Sequence, residues 1–315
     1  MSSIYHYCSV DTFYKIICNK CIRLSDLNKT NDYMEKRWVS KVLVKALEDE
    51  FSTYGITINL KEDYWYSENI LNHLQFLESD MESLVYTTSP TLITCFSDNS
   101  DKLSQWRAYG DDGYGVSIGF KSKILKDIKN TKMNVYLKKV IYKEANQILE
   151  LRGLIRSTIL YIRNMFKSDI VKISEDFNEY FIDEFDAFCE VLVDKIECMS
   201  CYIKNPAFVE EDESRIIYLP RLYTEMKDSE IRESFNERIQ LGKFYLDSIK
   251  YYPRSNQLVA FCDLHFDQLI PDNIITEIVL GPKSRLKEDD VFYFLMSQGF
   301  NARDIIVNKS SATYR

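Results

Sequence analysis

Residues 205–219 read Asn-Pro-Ala-Phe-Val-Glu-Glu-Asp-Glu-Ser-Arg-Ile-Ile-Tyr-Leu, and no other stretch restricts the fold as much. In a strand from Glu211 to Leu219, period-two alternation puts Glu211, Glu213 and Arg215 on one face of an otherwise apolar segment. Charged groups so placed must be solvated, paired with one another, or used on a ligand. An arginine beside carboxylates keeps them ionised, which suits orienting a hydroxyl or stabilising developing positive charge. A surface ion-pair ladder would use the same residues without any ligand.

A chain of 315 residues with 45% hydrophobic and 14% aromatic content can bury a sizeable core. Its formal charge of -8 opposes bulk electrostatic attraction to nucleic acid, and the local lysine run from Lys121 to Lys143 reads as a solvated face. The chain opens without a basic start followed by an apolar run, and no apolar run approaches membrane-spanning length. A cytoplasmic protein with no membrane partner is therefore expected. Cys18/Cys21 and Cys198/Cys201 have zinc half-site spacing, but the halves are far apart and lack nearby histidines. Buried thiols and no bound metal are expected.

Ile4–Cys8 alternates as a short strand, Ser9 is placed to cap a helix with Val10, Phe13, Ile16 and Ile17 on one face, and Cys21–Ser25 reads as a second strand. His6 sits near the end of the first strand and points opposite to Tyr5 and Tyr7; a hydrogen-bonded structural role is its ordinary one. Asn31 or Asp32 is positioned to cap a helix carrying Met34, Trp38, Val42, Ala46 and Leu47, and a further amphipathic helix is predicted over 68–84. After a strand over 91–96, residues 103–120 hold four of the nine glycines. Trp106, Arg107 and Tyr109 precede a turn with Gly110 and Gly113, and 115–120 reads as a strand. The glycines do not follow a dinucleotide fingerprint. Aromatic rings beside such a turn suit a planar ligand ring, nicotinamide or a base, and suit core packing equally.

Strands are predicted over 135–142, 244–252, 257–263, 273–280 and 304–308, with helices over 223–238 and 287–298. Residues 144–203 are helical almost throughout. The fold expected is a single α+β domain over 1–315, built on a mixed, mostly antiparallel sheet with strands from both ends of the chain, and with 144–203 inserted as a helical cap. The first strand is expected in the same sheet as 115–120 and 213–219.

Several of these elements fall in an order that resembles the bacterial family grouped as domain of unknown function 2971. The elements are Ile4-Tyr5-His6-Tyr7, Asn31-Asp32 with Glu35, Trp106 with Tyr109 before the glycine-rich turn, Phe208 with Glu211, Glu213 and Arg215, and Leu280-Gly281-Pro282-Lys283. Phe208 stands where the family has tryptophan, and the phenylalanine and proline of its Asn-Asp element are missing. The layout is also similar to that of ADP-ribosyltransferases, which implies an ADP-ribosyltransferase-like core with NAD as co-substrate. On that likeness Glu213 is the catalytic carboxylate, Glu211 orients the acceptor, His6 holds ribose, and Tyr109 or Tyr114 stacks on nicotinamide. Tyr7, Asn31, Trp106, Arg107 and Arg215 complete the expected ligand-binding set. A carboxylate fixed against the developing ribosyl cation stabilises the transition state more than the ground state. No Ser-Thr-Ser element precedes the aromatic stretch, which departs from the transferase pattern.

The resemblance implies NAD-dependent ADP-ribosyl transfer to a macromolecular acceptor, or NAD cleavage, within a phage-defence or toxin system. One alternative is a non-catalytic nucleotide- or partner-binding protein whose recognition surface holds Trp106, Arg107, Tyr109 and Glu213. Another is a metal-dependent nuclease using Asp32, Glu35, Glu211 and Glu213. A transferase requires His6, an aromatic ring and Glu213 within reach of one ligand.

Overall fold

The computed structural model describes residues 2–29, 38–53, 90–166, 188, 191, 192, 195–220 and 227–314. The chain divides into two compact units: Met1–Thr30, Ser89–Val140 and Glu210–Arg315 form the first, and Asn31–Thr88 with Ile141–Val209 the second.

The first unit holds strands β1 (Ser3–Cys8), β2 (Cys21–Asp26), β3 (Leu92–Ser97), β4 (Val116–Lys121), β5 (Val135–Lys139), β6 (Glu213–Tyr218), β7 (Ile239–Leu241), β8 (Phe244–Leu246), β9 (Lys250–Arg254), β10 (Gln257–His265), β11 (Ile275–Leu280) and β12 (Ile306–Lys309). Among the described residues these strands form one mixed sheet in the order β12-β11-β4-β1-β3-β2-β10-β8-β7. β6 lies between β3 and β5, and β9 pairs with β10. Only β11 and β12 run parallel among these pairings; the others are antiparallel, so the α+β class with a mostly antiparallel sheet holds.

The opening follows its local signals. Ser9 Oγ accepts from the Thr12 amide at 3.2 Å, the helix Val10–Asn19 buries Phe13, Ile16 and Ile17, and Lys20 turns the chain at φ 53°. β3 meets β6 along its whole length on one edge. Its other edge is shared, with Leu92 and Ile93 facing β2 and Ser97 facing Tyr5 of β1. β1 and β2 therefore splay apart from one strand, and Ile4, Phe96, Ile118, Phe120 and Ile216 join Phe13, Ile17, Val291 and Leu295 in the main core. Each such side chain contributes about 1.5–3 kcal/mol by leaving water.

The segment predicted as one strand over 244–252 is instead β8 and β9, and Gly242 at φ +66° turns β7 into β8. The described helix within 223–238 is Asp228–Asn236. The helix predicted over 68–84 lies outside the described residues.

In the second unit, helices Trp38–Ser52 and Glu144–Phe166 pair through buried polar groups. Glu50 accepts from Arg152 at 3.0 Å and from Arg156 at 2.8 Å. Gln147 accepts from Trp38 Nε1 at 3.0 Å and donates to the Ile141 and Lys204 carbonyls at 2.7 Å each. Satisfying every polar atom of a buried glutamine fixes the register of the elements it joins.

Candidate functional site

The acidic strand is shorter than alternation predicts. Pro206–Glu211 forms a 3-10 helix, Asp212 takes φ 47°, and β6 begins at Glu213. Aspartate tolerates this left-handed conformation better than most residues. The kink ends strand alternation before Glu211, and Glu211 and Glu213 both act on the Tyr109 phenol.

Glu213 and Arg215 remain together on β6, at 3% and 2% exposure, with Arg215 Nε and Nη2 both donating to Glu213 Oε2 at 2.9 and 2.6 Å. Their role is a buried, charge-assisted pair. Glu211 turns instead toward the helix Leu103–Ala108. Lys102 Nζ donates to the Glu210 carbonyl, Gln105 Nε2 to the Glu211 carbonyl at 3.3 Å, and Tyr109 Oη to Glu211 Oε1 at 2.9 Å. Burial pushes the Tyr109 phenol well above its ordinary range, reinforced by the negative charges of Glu211 and Glu213, so it stays a proton donor. Tyr109 as a whole residue is 44% exposed. The result is a fixed aromatic surface edged by a carboxylate, seated beside a rigid ion pair.

Trp106 anchors this helix. It is fully buried, meets the Tyr7 ring edge-on at 4.7 Å, packs with Val279, and donates to Asp101 Oδ1 at 2.7 Å. Tyr7 Oη donates to the Asn99 carbonyl at 2.8 Å and accepts from the Lys102 amide at 2.9 Å. Trp106 and Tyr7 are thus packing residues that place Tyr109, and neither presents a free ring to a ligand. Three motifs of the sequence meet here: the Tyr7 strand, the Trp106/Tyr109 helix and the Glu211/Glu213/Arg215 segment.

His6 is not brought to this site. Tyr5 pairs with Ser97 and Ser97 with Glu213, so those three share a sheet face, whereas His6 pairs with Ile118 and lies edge-on to Phe96 on the core face. Beyond Tyr5, β1 leaves β3, and His6 Nδ1 donates across the seam to the Cys95 carbonyl at 3.0 Å. Burial lowers the imidazole pKa, which favours the neutral ring, and the Cys95 carbonyl offsets this in part. The ribose role expected of His6 gives way to stitching two splayed strands. Asn31, like Asp32 and Glu35, lies outside the described residues.

Arg107 and Tyr114 face a different neighbour, which sequence reading missed. The Arg107 guanidinium lies 4.8 Å from the centre of the Tyr314 ring and Lys283 Nζ 3.9 Å from it, while Tyr314 Oη donates to Asp112 Oδ1 at 2.6 Å. Lys283 also bonds Asp112 at 2.8 Å and lies 5.5 Å from the Tyr114 ring. The glycines of this region permit close backbone approach: a Cβ on Gly115 would stand 2.1 Å from the Cys8 carbonyl oxygen, and one on Gly281 2.4 Å from that of Gly113.

Among the described residues no group of three His, Cys, Asp or Glu side chains is placed to hold a metal ion. No helix there is long and apolar enough to cross a membrane. No curated protein and no solved structure matches the chain. A family model does match, and it spans residues 105–216, from just before Trp106 to just past Arg215. Its ends bracket the Tyr109–Glu211 contact and the Glu213–Arg215 pair, while the Ile4–Tyr7 and Leu280–Lys283 elements lie beyond it. Over residues 105–216 the chain matches the model of the family described as Protein of unknown function (DUF2971).

Proposed function

We propose that the chain is a nucleotide-binding protein whose recognition surface is the Tyr109 ring and the Glu211 carboxylate. The observation that carries this reading is the 2.9 Å bond from the Tyr109 phenol to Glu211, which fixes the side chain of a residue that is 44% exposed. A base stacks on the ring and a ribose hydroxyl or base amine donates to the carboxylate, with the buried Glu213–Arg215 pair holding the segment in place. Preorganisation of this kind reduces the ordering cost of binding.

NAD cleavage or ADP-ribosyl transfer is the rival. The acids Glu211 and Glu213 beside an exposed ring favour it. Against it, His6 lies on the other sheet face and Glu213 is engaged by Arg215.

The test is calorimetric titration of adenosine and NAD into wild type, Tyr109→Ala and Glu211→Gln. Stacking of one base is worth about 1–3 kcal/mol, so Tyr109→Ala is expected to weaken binding by roughly 5- to 150-fold. Binding of equal strength in wild type and Tyr109→Ala would refute the assignment.

A further inference from the structure

The Tyr314 ring lies against Gly113 and beside two cations. A Cβ added at Gly113 would come within 3.3 Å of Tyr314 Cδ1 and 3.1 Å of Pro282 Cγ. Two cations, Arg107 and Lys283, stand at 4.8 and 3.9 Å from the ring centre, and Asp112 accepts the phenol proton at 2.6 Å. The segment that carries the ring is tied down at its other end. Asp101 accepts from Ser310 Oγ at 2.5 Å, from the Ser311 amide at 2.7 Å and from Ser311 Oγ at 2.8 Å, besides Trp106. Burial raises the Asp101 pKa, and these donors outweigh it to hold the carboxyl below its usual range.

We infer that residues 310–314 are an autoinhibitory strap whose Tyr314 fills a slot for a planar aromatic anion, a mononucleotide being the fitting class. The two cations favour a ring that carries phosphate: once the phenol leaves, Arg107 and Lys283, the latter also bonded to Asp112 at 2.8 Å, face the vacated position. Asp112 then accepts a base amine where it now accepts a hydroxyl. The slot is separate from the Tyr109–Glu211 contact, and the inference does not rest on that reading.

A strap of this kind lowers apparent affinity by the fraction of molecules in which the slot is open. Titration of AMP into wild type and Tyr314→Ala tests it. Binding to Tyr314→Ala is expected to be about 10- to 100-fold tighter, as two cation–π contacts and one charge-assisted hydrogen bond no longer compete. Adding Lys283→Gln to Tyr314→Ala should abolish the gain, whereas adding Tyr109→Ala should leave it. Tyr314→Phe, which keeps the ring and loses the Asp112 bond, should give a smaller gain than Tyr314→Ala. Equal affinity of wild type and Tyr314→Ala, no binding to either, or a gain that survives Lys283→Gln would each overturn the strap.

Discussion

Replacing Arg215 with methionine removes the Nε and Nη2 bonds to Glu213 Oε2 and puts an apolar side chain beside a carboxylate that is 3% exposed. Breaking a buried pair from one side costs about 3–5 kcal/mol, because the surviving charge keeps its desolvation penalty. For a folded unit of this size each kcal/mol moves Tm by about 2–4 °C, so Arg215→Met is expected to lower Tm by roughly 6–20 °C. Removing both charges, as Glu213→Leu with Arg215→Met, replaces the pair with apolar groups and should return stability to within about 1 kcal/mol of wild type. The double-mutant cycle, read by urea unfolding and near-ultraviolet circular dichroism, should give a coupling of at least about 2 kcal/mol, and more to the extent that Glu213→Leu also breaks the pair from one side. Additive single and double costs, or a loss below about 1 kcal/mol in Arg215→Met, would refute a buried and mutually dependent pair.

Three glycine and carboxylate substitutions separate other parts of the account. Gly115→Ala forces a Cβ to 2.1 Å from the Cys8 carbonyl and should prevent soluble expression or lower Tm sharply, whereas Gly153→Ala meets nothing within 4 Å. Inside a helix that second change should stabilise by about 0.5–1 kcal/mol, measured as a rise in Tm. The Arg156 bond, joined by Arg152, holds the Glu50 carboxyl below its ordinary range despite burial. Its contribution is present above the unfolded carboxylate pKa of about 4.3 and lost as pH falls through the lower folded value. The stability gap between wild type and Glu50→Gln should therefore narrow below about pH 4 in acid unfolding.

Local signals in the sequence carried the opening unit: the Ser9 cap, the Phe13, Ile16 and Ile17 face of the first helix and the alternation of β1 hold in the structure, while Val10 at the start of that helix is exposed. Register within the sheet was legible only as a set of strands that belong together, and β1, β4 and β6 do share one. The position of Glu211 was not legible, since a single left-handed residue, Asp212, decides it and aspartate adopts that conformation or not with little local warning. His6 was misplaced for a different reason. Its alternation with Tyr5 and Tyr7 holds, but the face on which Glu213 lies follows from pairings through Ser97 that no local pattern encodes. Tyr314 carried no signal at all, because its partners Arg107, Asp112 and Lys283 are distant in the chain. Two of those partners, Asp112 and Lys283, lie in or beside the glycine-bearing turns that approach each other at Gly113 and Gly281. A spacing argument alone had no means of joining them.

The most direct test of binding without turnover is to incubate wild type, Glu211→Gln and Glu213→Gln with NAD and cell extract and to follow free nicotinamide and labelled macromolecules. The account predicts NAD binding that Tyr109→Ala weakens, with nicotinamide release no faster than in buffer for any of the three proteins. Nicotinamide release or label transfer by wild type that disappears in Glu213→Gln would contradict it and make the buried carboxylate catalytic.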